Sequence, residues 1–110
     1  MMVLTTIVVG FALVGASAQA ATGADWQYCI APSEAEHKIY MSDWFQVRGT
    51  SHNADSAFEQ ALDRAGLRHD AVQCPRADDE HSIAMMEQYA ISFNRKMGNT
   101  IVHVPIEQTR

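Results

Sequence analysis

Residues 25–47, "DWQYCIAPSEAEHKIYMSDWFQV", decide the fold, because they carry two alternating runs separated by turn residues. In the first run Trp26, Tyr28 and Ile30 share one face of an extended chain. In the second, Ile39, Met41, Phe45 and Val47 stay in phase around an intruding Asp43. Period-two alternation of this kind predicts two strands, and Pro32-Ser33-Glu34 between them predicts a hairpin. The second strand also sets Tyr40 and Trp44 on the face opposite Ile39, Met41 and Phe45.

Downstream the period changes from two to that of a helix. Ala54, Ala57, Phe58, Ala61, Leu62 and Ala65 form one stripe, with Asn53 in place to cap its start, Asp55 in the first turn and Gly66 to close it. Residues 71–74 read as a short strand ended by Pro75. Asp78 or Asp79 then caps a second helix, whose expected core stripe is Ile83, Met86, Ala90, Phe93 and Met97. Arg95 and Lys96 lie in its last turn and Gly98 beyond it. The segment "NTIVHVPI" reads as a final strand that Pro105 confines to a sheet edge or strand end. The order β-β-α-β-α-β predicts an α/β (α+β) two-layer sandwich, with two helices on one face of a four-stranded mixed sheet.

The amino-terminal "MMVLTTIVVGFALVGASAQA" has no charged side chain and ends in small residues that offer A-x-A cleavage sites. It reads as an export signal over residues 1–20, leaving 21–110 as one domain in the periplasm or outside the cell. The apolar run turns small and polar from Gly15, so no stable membrane span is expected after cleavage. Cys29 and Cys74 are the chain's two cysteines, and in a small exported domain they read as one disulfide. Parallel crossovers would set the two cysteines toward opposite strand ends, whereas a bridge needs Cα atoms within about 7 Å. The pairing is therefore kept and the strand order left open.

Thirteen acidic against eight basic residues give a net charge of -5, which argues against nucleic acid as a partner. Nothing signals a cofactor, and none is expected. If both helices cover one sheet face, Tyr40 and Trp44 lie on the open one, and exposed aromatic rings in a row are typical interface anchors. Met85 and Ile91, off the second helix's stripe, add to the apolar residues without a place in the core. The expectation is a non-catalytic binding domain whose partner is another envelope or extracellular protein, met through Tyr40 and Trp44. Two other readings compete with it. His81 and Met85, four residues apart, suit a soft metal such as copper, with zinc the alternative. His69 and His103 would supply the acid–base pair of a small secreted hydrolase.

Overall fold

The computed structural model describes residues 24–49 and 53–106, so the expected export signal at 1–20 lies outside the described residues. The elements are β1 (Ala24–Gln27), β2 (Ile30–Ser33), β3 (Lys38–Met41), β4 (Phe45–Arg48), α1 (Ala54–Arg64), β5 (Arg76–Ala77), α2 (Glu80–Lys96) and β6 (Thr100–His103). They form two three-stranded sheets, ordered β4-β1-β5 and β2-β3-β6, in place of the expected single four-stranded sheet.

The predicted hairpin is present, and each of its arms is broken once. β2 pairs antiparallel with β3 across a 3₁₀ turn at Glu34–Glu36, and β1 pairs antiparallel with β4. Between the paired positions Gln27↔Phe45 and Ile30↔Met41, two residues of one arm oppose three of the other. The extra residue is a bulge, which bends the ladder and divides it into two sheets. Ser42 repairs the break: its buried hydroxyl accepts the Cys29 N–H at 2.8 Å and donates to the Asp43 carbonyl at 2.9 Å. The hydroxyl thus replaces a ladder bond, and Asp43 intrudes on the alternation because the strand is interrupted there.

The expected strand at 71–74 is reduced to one antiparallel bridge, Ile30↔Gln73, and the pairing resumes three residues later at Gln27↔Arg76 and Trp26↔Ala77. Pro75, which has no N–H to donate, interrupts it. All three pairs share one register, and in that register Cys29 stands directly opposite Cys74. Ile30 and Gln73 exchange both backbone bonds, at 2.8 and 2.9 Å, so the neighbouring cysteines occupy the closer, non-hydrogen-bonded pair of an antiparallel ladder. Their Cα atoms are 4.0 Å apart and the disulfide is formed. The conflict raised by parallel crossovers disappears because this segment runs antiparallel to its partner; β6 on β3 is the parallel pairing among the described strands.

The helices pack against opposite faces of the β2-β3-β6 sheet, which corrects the two-layer expectation. Ala31, Tyr40 and Val102 lie side by side in the register and meet Phe58 and Leu62 of α1. Ile39, Met41 and Ile101 point the other way and meet Ile83 of α2. The physical reason is that β3 is apolar on both faces: Ile39, Tyr40 and Met41 are consecutive and all buried. A strand of that kind needs cover on both sides. Gly66 and Gly98 close the helices with φ of 71° and 90°, as their positions predicted. Asp79 caps α2, accepting the Ser82 N–H at 2.7 Å, whereas the Asn53 side chain makes no capping bond at α1.

Candidate functional site

The residues expected to anchor a partner are split by the fold. Tyr40 is 1% exposed, inside the α1-facing core, so it cannot touch another molecule in the folded chain. Trp44 is half-buried; it meets Trp26 edge to face, with ring centroids 6.4 Å apart, and donates its indole N–H to Glu87 Oε1 at 2.9 Å. Asp43, Trp44 and Glu87 line an open cleft of about 510 Å³. Burial raises the Tyr28 hydroxyl's pKa above its ordinary value, and the Glu87 charge adds to the effect.

The Trp44–Glu87 bond lies on the side of α2 that faces the sheets. With about 100° per residue, the stripe expected to be buried and the stripe observed there differ by roughly 70° around the helix axis. Ile83, Ala90 and Ile91 pack inward, and two polar residues on the same side are held structurally. One is Glu87, by Trp44; the other is Asn94, which donates to the Ala90 carbonyl at 2.8 Å and accepts from Asn99 at 3.3 Å. Ile91, expected to lie outside the core, is therefore part of it.

This rotation leaves the other apolar row of α2 in solvent. Met85, Met86, Tyr89, Phe93 and Met97 are the large apolar side chains exposed among the described residues, and Tyr89 is the most open at 72%. Tyr89 and Phe93 stack at 6.4 Å with ring planes 13° apart. Met85, Tyr89, Phe93 and Met97 follow one another every fourth residue, a line about 18 Å long at 1.5 Å per residue. Asp78, Asp79 and Glu80 flank it at the amino end, and Arg95 and Lys96 at the carboxyl end. A continuous row of thioether and aromatic groups is adaptable in shape and suited to apolar contact. Of the residues singled out in the sequence, Met85 belongs to this row, and so do Phe93 and Met97, which with Met86 were expected in the core and are exposed instead. Tyr89 was missed, although its i, i+4 relation to Met85 and Phe93 was a readable signal.

The histidines occupy separate places. His103 Nε2 lies 2.9 Å from Asp43 Oδ1, while His69 Nε2 lies 2.9 Å from Asp63 Oδ1, so the two expected hydrolase partners engage different carboxylates. The Asp70 backbone carbonyl raises the His69 pKa most; burial opposes it, and Asp63 and Glu59 add to the rise. His81 is exposed on the first turn of α2, four residues from Met85. Among the described residues, three His, Cys, Asp or Glu ligands gather at Glu59, Asp63 and His69, away from His81. No described helix is long and apolar enough to cross a membrane. The chain matches no protein-family model, no curated protein and no solved structure.

Proposed function

We propose that this chain is an exported, disulfide-stapled domain that acts by binding another envelope or extracellular protein, and that the apolar row of α2 is its contact surface. The observation that carries this reading is the exposure of Met85, Tyr89, Phe93 and Met97 as one line on a helix whose other side packs on the sheets through Ile83, Ala90 and Ile91. Such a line costs solubility unless something covers it. Its flanks give the partner a stated chemistry. An apolar element lying along α2 is favoured if it carries basic groups beside Asp78, Asp79 and Glu80, and acidic groups beside Arg95 and Lys96. The disulfide is compatible with an oxidising compartment, and the acidic balance of the chain disfavours nucleic acid.

The test begins with capture from the native envelope and secreted fractions by wild-type protein. Each captured protein is then purified and titrated against the chain. The reading requires direct binding that falls at least about tenfold in Y89D/F93D, the loss of roughly 1.4 kcal/mol or more expected for interface anchors. It also requires that Gln60→Asp, an exposed change on α1, leave binding unaltered. Equal affinity of wild type and Y89D/F93D contradicts it.

A further inference from the structure

We propose that Glu59, Asp63 and His69 form a binding site for a divalent transition-metal cation, separate from the α2 surface. Glu59 and Asp63 lie four residues apart on α1 and so project on the same side of that helix. His69 comes back to them from the segment after Gly66, and ligand atoms of the three residues all lie within 4.8 Å of one another. That is the number of protein ligands and the donor chemistry, one imidazole and two carboxylates, that zinc and its neighbours accept while keeping a position open.

The orientation of the imidazole carries the inference beyond a cluster of acids. The His69 side chain is only 9% exposed, and Nδ1 sits 2.7 Å from the Asp70 carbonyl oxygen. A carbonyl can only accept, so Nδ1 carries the hydrogen. Nε2, the other ring nitrogen, faces Asp63 Oδ1 at 2.9 Å, and an ionised carboxylate is also only an acceptor. The ring is thus clamped between two acceptors, and this arrangement calls for positive charge at Nε2, from a second ring proton donated to Asp63 or from a cation bound there in its place. A metal ion held by Nε2 and the two carboxylates would take the place of that proton.

The supports behind the ligands are also in place. Ligating histidines characteristically donate their second N–H to a carbonyl or carboxylate, which fixes the ring. Here the carbonyl doing so belongs to a residue tied down twice: the Asp70 N–H donates to the Pro32 carbonyl at 2.7 Å, and Asp70 Oδ2 accepts the Glu34 N–H at 3.1 Å. The site is therefore anchored to β2 on one side and to α1 on the other. Only Glu59 and Asp63 need to adjust, and both are exposed.

Isothermal titration of the whole protein with Zn²⁺ in a chelator-free buffer tests this. The expected result is one saturable Zn²⁺ per chain, weakened at least about tenfold by His69→Ala and by Asp63→Asn, since loss of a mere supporting contact already costs about 10–100-fold. His81→Ala should leave it unchanged. If His69→Ala does not fold, Glu59→Gln, an exposed change on α1, must show the same weakening. Absence of saturable Zn²⁺ binding, or binding that survives all three ligand substitutions, overturns the proposal. The α2 reading is unaffected by either result, because Y89D/F93D alters none of these ligands.

Discussion

Trp44 and Glu87 are joined by a 2.9 Å hydrogen bond from the indole nitrogen, on the side of α2 that also packs Ile83, Ala90 and Ile91 against the sheets. It links the end of the β3–β4 break to the middle of the helix. Hydrogen bonds to charged groups contribute about 1.5–3 kcal/mol when well shielded; at a part-buried site the lower end applies. Glu87→Ala is expected to lower stability by about 1–2 kcal/mol, and Glu87→Gln, which keeps the acceptor, by less than half of that. Urea titration followed by Trp fluorescence reads both. A Gln variant as damaged as the Ala variant would show that charge, not the hydrogen bond, holds the helix.

Tyr40 is a core residue with a burdened side chain. Its ring packs with Phe58 and Leu62, yet its buried hydroxyl finds no hydrogen-bond partner among the described residues. Removing an unsatisfied polar group recovers part of its desolvation cost, on the order of 1 kcal/mol. Tyr40→Phe should therefore be neutral or stabilising by up to about 1 kcal/mol, while Tyr40→Ala should cost about 3–5 kcal/mol as an emptied aromatic site. A destabilised Phe variant in urea titration would reveal a partner for the hydroxyl.

The disulfide closes a loop with a sequence separation of 45. In the chain-entropy account that loop contributes about 4 kcal/mol by restricting the unfolded chain. The C29A/C74A variant should lose roughly this amount in denaturant titration. Wild-type protein under strong reductant should lose a comparable amount, with the two curves close together. A difference under about 1 kcal/mol would place most of the stability in the two cores alone.

Asp79 supplies a pH dependence in the acid range. Its carboxylate accepts the Ser82 backbone N–H, then a second Ser82 bond, and the pKa falls below its ordinary value. A carboxyl whose folded pKa is depressed contributes stability above its unfolded value of about 3.9. That contribution is lost as pH falls through the lower folded value. Asp79→Asn keeps a capping side chain without the charge. Its melting temperature should lie below wild type at neutral pH and converge with it in acid. Parallel curves across the whole range would contradict the capping charge.

Much of the fold is legible in residues 25–47 because alternation and turn residues agree there. The bulge was visible only as a phase anomaly at Asp43, since the sequence does not show that Ser42 can substitute for a ladder bond. Opposite placement of the helices followed from the run Ile39, Tyr40, Met41, whose meaning depends on whether the second face is covered. The disulfide was read correctly from two cysteines, but its geometry needed the antiparallel register. For α2 the difficulty was different: the helix carries two apolar rows, and hydropathy cannot rank them. The buried row carries Glu87 and Asn94 beside Ile83, Ala90 and Ile91, and polar residues of that kind hide it from a search for apolar stripes.

Contact between the Tyr89 row of α2 and a partner protein is read by site-specific photo-cross-linking. A photoreactive residue is placed at position 89, or at position 60 on the exposed side of α1, in the full chain expressed in its native host. The expected result is a discrete adduct with an identified envelope or extracellular protein from position 89, absent from position 60 and abolished by Phe93→Asp. No adduct at 89, adducts of equal strength at both positions, or an adduct only with a second copy of the chain would contradict it.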